Sequence, residues 1–243
     1  MPAARESLLD AAYTALTTRA WAAVRMVDVA AAAGVSRQTL YNEFGSKEGL
    51  ARALVRRETD HYLAGAARAL ARGGAPGAGT RGDATARLTA AASWTLRTAR
   101  TNPLVRAALT GCWSDRLPAP GAALEGPAAA RRIRSGVPTQ RTAPPAERPL
   151  PDPAELVGRL RDEAVAALGP GWPAEELPAL GAACESAVRL TLSCVLAPAA
   201  AGAAPGRVAA RRTGREAEVE AVSRLVRGAF AGLPDGAQRL GRG

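Results

Sequence analysis

Between residues 36 and 47, side chains that can bind nucleic acid recur at a spacing that suits one side of a helix. Arginine pairs with guanine edges, and glutamine and asparagine pair with adenine edges. Arg37, Gln38 and Asn42 are therefore candidates for reading bases. Hydroxyl and ammonium groups commonly bind phosphate oxygens. The candidates for phosphate binding are Ser36, Thr39, Tyr41, Lys47 and, before this segment, Arg25.

Two short helices with a tight turn are predicted to hold these side chains. Gly34 ends the first helix, because glycine accepts the positive φ that a helix terminus commonly needs. Ser36 stands at the N-cap of the second helix, and Leu40 and Phe44 fall together on its inner side at about 100° per residue. The predicted inner stripe of the first helix is Val27, Val29, Ala30 and Ala33. This arrangement describes a DNA-binding helix-turn-helix.

A third helix is predicted to follow at once. Gly45 closes the second helix and Ser46 caps the third. Lys47 then lies in the first turn, where its charge and the free amides of the helix would aim at one phosphate.

The stretch VAAAAGVSRQTLYNEFGSKEGL resembles the DNA-binding domain of the TetR/AcrR family of bacterial repressors. The resemblance covers roughly residues 5 to 52, and AAGVSRQTLYNEF and SKEGL are its most specific parts. The family usually has Ser or Thr just before the first helix of the motif, as cap and phosphate contact. This chain has Arg25-Met26 there, so Arg25 could contact the phosphate while the capping of that helix is left open.

Composition favours an all-α fold. Hydrophobic residues make up 47% of the 243 residues but aromatic residues only 4%, so the core must consist largely of Ala, Leu and Val. About nine helices are expected and no strand. The net charge of +10 suggests a polyanionic partner. However, residues 129 to 150 alone hold five Arg and one Glu, so much of the excess lies outside the motif.

The helices divide into a helix-turn-helix domain at residues 1–48 and a larger helical ligand-binding and dimerisation domain at residues 49–233. Residues 118–152 form a predicted Pro/Arg-rich loop, because prolines at this frequency interrupt a regular helix. Residues 234–243 form a tail. Helix starts predicted in the larger domain include Asp83, as the cap of a helix running to about Thr101, and Asn102-Pro103 and Asp152-Pro153, each a cap followed by proline at the first helical position.

The last two long helices carry apolar residues at alternating steps of four and three, which is typical of a helix-packing seam. The TetR resemblance implies that these helices pair with their copies in a four-helix interface of a homodimer. A seam packed inside one subunit would have the same pattern. The predicted interface residues are Leu177, Cys184, Val188, Val195, Val222, Val226 and Phe230.

The resemblance also implies a small-molecule pocket inside the larger domain. The residues predicted near it are Trp94, Leu109, Trp113 and Leu160, since indole rings supply large apolar walls with one donor each. No charged residue is clearly placed to meet a ligand charge, so a neutral or weakly polar ligand is expected. Ordinary core residues are the alternative interpretation of these four positions.

Enzyme chemistry finds little support. The chain has a single histidine, His61, and shows no nucleophile elbow, phosphate loop or paired carboxylates, so no catalytic residue is predicted. Cys112, Cys184 and Cys194 fit no metal spacing, and neither a metal nor a cofactor is expected. Residues 177 to 204 are apolar but contain Glu185 and Arg189, which argues against a membrane span. A cytoplasmic protein with reduced thiols is expected.

The residues and the resemblance together predict a transcriptional regulator that binds double-stranded DNA at a palindromic operator. The resemblance implies a repressor that a small-molecule ligand releases. The main alternative is an architectural or protein-interaction module with a DNA-binding head and no ligand response. A helical enzyme is the third hypothesis.

Overall fold

The computed structural model describes residues 2–73, 80–118, 150–197 and 207–233. Within these ranges every long element is an α-helix and no strand occurs, so the predicted all-α fold is confirmed. The helices are α1 (Pro2–Thr18), α2 (Met26–Ala32), α3 (Arg37–Phe44), α4 (Lys47–Arg72), α5 (Arg81–Thr101), α6 (Pro103–Thr110), α7 (Pro153–Leu168), α8 (Leu177–Leu196) and α9 (Arg207–Ala229). Short 3-10 turns occur at Trp21–Ala23, Gly169–Gly171 and Ala174–Glu176.

The chain divides into two compact units. The first comprises Met1–Glu58 and Cys112–Leu150, and the second comprises Thr59–Gly111 and Pro151–Gly243. Helix α4 begins in the first unit and ends in the second. The predicted division after residue 48 marks the end of the helix-turn-helix motif and stays a prediction. Most of the predicted loop at 118–152, with its arginines, and the predicted tail at 234–243 lie outside the described residues.

A small core holds the first unit together. Leu8, Leu9, Ala12 and Leu16 of α1 are at most 7% exposed, and Trp21 in the same unit is 9% exposed. Burying each large aliphatic side chain stabilises the fold by about 1.5–3 kcal/mol relative to leaving it in water. Helix α1 thereby provides the apolar surface on which the two short helices α2 and α3 pack.

Helix caps in the second unit follow local sequence signals. The Asn102 side chain accepts hydrogen bonds from the amides of Leu104 and Val105, and Asp152 accepts one from the amide of Glu155 at 2.7 Å. The start of α5 differs from expectation, because Thr80 rather than Asp83 supplies the cap, accepting from the Asp83 amide at 3.1 Å.

The apolar seam of the last two helices lies inside the chain, which corrects its assignment to a dimer interface. Cys184, Val195, Val222, Val226 and Phe230 are each at most 6% exposed within this single chain. The reason is that α8 packs against α5, α7 and α9 of its own subunit, and the seam fills those contacts. Of the other two residues assigned to the interface, Leu177 is half-buried and Val188 faces a cavity.

By length and composition alone, one helical stretch among the described residues could cross a membrane, Ala174–Leu196 with a mean hydropathy of 1.4. The core helix of a soluble protein meets the same criteria. Here α8 packs on four other helices of the second unit, namely α5, α6, α7 and α9, so part of its apolar surface lies in the core.

Candidate functional site

The N-terminus of α3 is fixed by the residues that the sequence indicated. Ser36 is its N-cap, and its Oγ accepts a hydrogen bond from the Thr39 amide at 3.0 Å. The Thr39 hydroxyl lies 2.9 Å from the same oxygen. Such a cap stabilises a helix by about 1 kcal/mol. Both hydroxyls thereby lie together at the start of the helix.

The turn before α3 depends on Gly34, which has φ of 67°. In this left-handed region a side chain would strain the backbone. The Val35 amide bonds back to the Ala30 carbonyl at 3.0 Å, which closes the end of α2. Val29 and Ala30 are buried as predicted, whereas Val27 is 47% exposed. Met26, the first residue of α2, is buried in place of Val27, so the buried side of this helix consists of Met26, Val29 and Ala30.

Helix α3 buries one side and exposes the other. Leu40 and Phe44 are 0% and 8% exposed, as predicted. On the outer side, the Arg37 guanidinium lies 5.3 Å from the centre of the Tyr41 ring. The Gln38 Nε2 donates to the Asn42 Oδ1 at 2.7 Å.

These four outer residues, called the polar face of α3, therefore form two ordered pairs. A planar guanidinium and an amide pair held in place lose less side-chain entropy on binding a partner than free side chains would.

The turn between α3 and α4 is tightly packed. Gly45 has φ of 69°, and the Ser46 amide donates to the Phe44 carbonyl at 2.7 Å. The Ser46 Oγ accepts from the Gly49 amide at 3.1 Å, so Ser46 caps α4 as predicted. A Cβ atom at Gly49 would overlap the Phe44 carbonyl oxygen. This close approach was not deduced from the sequence.

Lys47 lies in the first turn of α4, and its ammonium group is held from one side. Its Nζ donates to the Ala22 carbonyl at 3.1 Å and lies 5.5 Å from the centre of the Trp21 ring. Partial burial lowers the pKa of Lys47, with a smaller opposing effect of Glu48. An ammonium group has three protons, so this contact leaves Lys47 able to donate to a further partner.

Arg25 is the N-cap residue of α2, and its side chain makes no capping hydrogen bond, so the capping that the sequence left open is absent at this helix start. Its Nε and Nη2 instead donate to the two carboxylate oxygens of Asp28 at 3.0 and 2.9 Å. The pair lowers the pKa of Asp28, first through the hydrogen bond from Arg25. Arg19 lies 3.4 Å from the same carboxylate. The side chain of Arg25 is 73% exposed, so Asp28 orients it without covering it.

A separate cavity of about 30 Å³ lies in the second unit, between α4, α5, α7 and α8. Leu160, one of the four predicted pocket residues, lines it. Trp94 does not, because its ring packs against Gly65 and its Nε1 donates to the Tyr62 carbonyl at 3.1 Å. Leu109 is buried on α6, and Trp113 belongs to the first unit.

Sequence reasoning missed the polar residues of this cavity, Thr95 and Thr191. Neither threonine was among the four predicted pocket residues, and Val188, assigned to the dimer seam, lines the same cavity. Threonine in the middle of an otherwise apolar stripe was the available signal, because a buried hydroxyl needs a hydrogen-bond partner.

Comparison with known proteins connects the first unit to one family. Residues 8–54 match the model for bacterial regulatory proteins of the tetR family. Among curated proteins, the HTH-type transcriptional regulator AlkX of Mycobacterium tuberculosis is 52% identical over 59 residues, which is 24% of this chain and 28% of that protein. An uncharacterized HTH-type transcriptional regulator of the same strain is 48% identical over 56 residues, 23% of this chain and 28% of that protein. The chain thus spans about 28% of the length of these relatives.

Solved structures of the same family align over most of the chain. The alignment with the TetR family repressor AlkX from Dietzia sp. covers 91% of this chain and 96% of that protein. The two sequences are 25% identical, and the TM-score is 0.44. The alignment with a TetR transcriptional regulator from Rhodococcus sp. covers 96% of this chain and 98% of that protein. The two sequences are 20% identical, and the TM-score is 0.43.

Proposed function

We propose that this chain, whose N-terminal domain belongs to the tetR family of bacterial regulatory proteins, is a transcriptional regulator that binds double-stranded DNA. The observation that carries the proposal is the polar face of α3, where an Arg–Tyr pair and a Gln–Asn pair stand ordered on an exposed surface. Arg37, Gln38 and Asn42 read base edges in the major groove.

The phosphate contacts surround this face. Ser36, Thr39 and Tyr41 supply hydroxyls from α3, and Lys47 supplies an ammonium group at the start of α4. The unused donors of Lys47 and the exposed guanidinium of Arg25 support this assignment. Phosphate contacts position a protein on the duplex without reading sequence.

The regulator acts as a cytoplasmic homodimer on a palindromic operator. Helix α3 has eight residues and reads few base pairs alone, so two copies related by a two-fold axis give useful specificity. Because the apolar seam is buried inside the subunit, the dimer contact uses the outer sides of α8 and α9. Leu196 and Val219 are the large apolar side chains that the described parts of these helices expose, at 56% and 41%.

A neutral or weakly polar ligand releases this repressor from its operator. The ligand site is the cavity of the second unit, and its apolar lining supports this part of the proposal. Ala66 and Leu70 on the C-terminal half of α4 line the cavity, and Lys47 lies at the other end of the same helix. A ligand that favours a different position of α4 shifts the population away from the DNA-binding state.

A regulator or architectural module without ligand response is the second candidate. The size of the cavity favours it, because about 30 Å³ holds no more than one or two water molecules. A small ligand therefore binds only if the lining moves apart. Measured binding of any small molecule with reciprocal loss of DNA affinity would exclude this second candidate.

The proposal is tested with the purified full chain and the DNA upstream of its own gene. Fluorescence anisotropy at fixed salt should give an affinity at least 10³-fold tighter than that for scrambled DNA of equal length. Footprinting should show a protected region with two-fold symmetry. Equal affinity for both DNAs would overturn the proposed function.

A further inference from the structure

The two hydroxyl groups that line the cavity both direct their protons into the protein. Thr95 Oγ1 donates to the Ala91 carbonyl at 3.0 Å, and Thr191 Oγ1 donates to the Ala187 carbonyl at 2.7 Å. A hydroxyl has one proton and two acceptor lone pairs. What remains on both oxygens is therefore acceptor capacity only.

A buried tyrosine uses part of this capacity. The Tyr62 hydroxyl lies 3.0 Å from Thr95 Oγ1. In the arrangement where Thr95 donates to the Ala91 carbonyl, the Tyr62 hydroxyl is the donor in this pair. Thr95 then keeps one lone pair, whereas Thr191 has no second partner among the described residues and keeps both.

The rest of the lining offers no hydrogen-bond donor. Ten of the twelve lining residues are Ala, Leu or Val, and the other two are the threonines. An anionic carboxylate placed here would be desolvated without a partner, which is strongly unfavourable. A ketone or ester oxygen would find a donor only if Thr191 released the Ala187 carbonyl, so one hydrogen bond would replace another without net gain.

We propose that the ligand of this cavity is an uncharged, mainly aliphatic molecule whose polar group donates a hydrogen bond, as an alcohol does, and that Thr191 Oγ1 accepts it. This inference rests on the proposed function and specifies the chemical class of its ligand. Specificity arises because the cavity accepts hydrogen bonds and does not donate them.

The small volume of the cavity also determines which ligand shape is preferred. An aliphatic chain exceeds 30 Å³, so the leucine side chains Leu70, Leu88, Leu160 and Leu192 must move to admit it. Interiors are close-packed, and each displaced contact costs energy. An unbranched chain requires the smallest displacement and is therefore the preferred form.

Four eight-carbon probes test the inference with the full-length protein: 1-octanol, 2-octanone, octanoate and n-octane. Their affinities are measured at pH 7 by isothermal titration calorimetry. One net hydrogen bond corresponds to about 3- to 10-fold in affinity, so 1-octanol should bind tighter than 2-octanone and n-octane by that factor. Octanoate should show no measurable binding.

Substitutions at Thr191 locate the acceptor. Thr191→Val replaces the hydroxyl with a methyl group of similar size and should remove the preference for 1-octanol over 2-octanone, leaving the n-octane affinity unchanged. Thr191→Ser keeps the hydroxyl and should keep the preference. Thr89→Val is the matched control, because Thr89 lies on α5 outside the cavity lining and should alter none of the four affinities.

Tighter or equal binding of 2-octanone or octanoate would overturn the inference, as would a preference for 1-octanol that survives in Thr191→Val. Absence of binding by all four probes would also overturn it. DNA anisotropy measured on the same preparations separates this failure from that of the proposed function. DNA binding without alcohol binding rejects the ligand class alone, whereas absence of sequence-specific DNA binding rejects the proposed regulator.

Discussion

The hydrogen bond between Tyr62 and Thr95 is buried, so its two partners should depend strongly on each other. Thr95→Val leaves the Tyr62 hydroxyl without its acceptor and is expected to lower the free energy of unfolding by about 1–3 kcal/mol. The double variant Tyr62→Phe with Thr95→Val removes both partners and should be less destabilised than the sum of the single variants. Urea denaturation of the four proteins measures this coupling.

Thr89→Val provides the control on the same helix. The Thr89 hydroxyl is buried without a hydrogen-bond partner, so replacing it with a methyl group should leave stability unchanged or raise it. Additive losses in the Tyr62→Phe/Thr95→Val double variant would contradict the coupling of these two side chains through a buried hydrogen bond.

Burial of two weak acids makes stability fall in alkaline solution. Burial raises the pKa of Tyr62 from 10.0 to about 12 and the pKa of Cys184 from 9.0 to about 12. Between pH 9 and 12 the unfolded chain has lost protons that the folded chain still binds, so the free energy of unfolding decreases as pH rises. Urea denaturation at pH 8, 10 and 11 measures this decrease. Tyr62→Phe should make it shallower above pH 10, and an equal slope in that variant would refute the role of Tyr62.

Lys47 and Gln38 should differ in what they contribute to DNA binding. Lys47→Ala is expected to weaken binding to all sequences alike and to reduce the salt slope by about one unit, because one phosphate contact is lost. Gln38→Ala should relax the choice of base at one position, at a cost of about 1–3 kcal/mol. Anisotropy titrations over a salt series, with operator and scrambled DNA, distinguish the two effects.

Arg106→Ala, which removes one positive charge from an exposed residue of the second unit, is the control for Lys47→Ala. It should leave the salt slope unchanged. An unaltered slope in Lys47→Ala would show that the ammonium group serves only the Ala22 carbonyl and the Trp21 ring.

At the level of helices, starts and turns could be deduced from the sequence because their determinants are local. Ser36, Asn102 and Asp152 each bond to amides two or three residues away, so a few neighbouring residues decide the cap. A periodic apolar stripe shows that one side of a helix is buried but does not identify the element that covers it. The seam of α8 and α9 was therefore assigned to a partner copy, whereas Cys184 and Val226 pack inside the chain.

The two candidate sites, the polar face of α3 and the cavity of the second unit, also differ in whether their residues are close together in the sequence. The polar face of α3 could be deduced from helical spacing, because its residues share one short helix. The cavity could not, because Thr95 and Thr191 come from helices far apart in sequence and meet only through packing. Aromatic size was a misleading guide to its walls, since the Trp94 ring fills the space over Gly65.

The turn that joins α3 to α4 should not tolerate a side chain at Gly49. Gly49→Ala places a methyl group against the Phe44 carbonyl, so α3 must shift, and a loss of about 1–3 kcal/mol in the free energy of unfolding is expected. Gly158→Ala on α7 has open space around the new methyl group and should instead gain about 0.5–1 kcal/mol. Thermal denaturation of both variants tests this contrast, and an equal effect of the two would contradict it.

For the whole molecule, the position of valines on α9 predicts two different effects on assembly. Val226 is 1% exposed, so Val226→Asp should unfold the subunit rather than separate two folded copies. Val219 is 41% exposed, so Val219→Asp should preserve the helical content and weaken the dimer. Light scattering and circular dichroism at micromolar concentration measure both effects. A folded monomer from Val226→Asp, or an unperturbed dimer from Val219→Asp, would refute the proposed contact.

Helix α4 also has a mechanical consequence. It is a single helix of 26 residues, and nineteen residues separate Lys47 from Ala66, which corresponds to about 28 Å along the axis. A rigid rod of that length that tilts by about 5° about its cavity end moves its other end by about 2 Å. Hydrogen bonds to phosphate span about 2.7–3.2 Å, so such a displacement is enough to break one. The helix would act as a lever arm, amplifying a displacement smaller than the width of a methyl group beside Leu70 into the loss of a contact at Lys47.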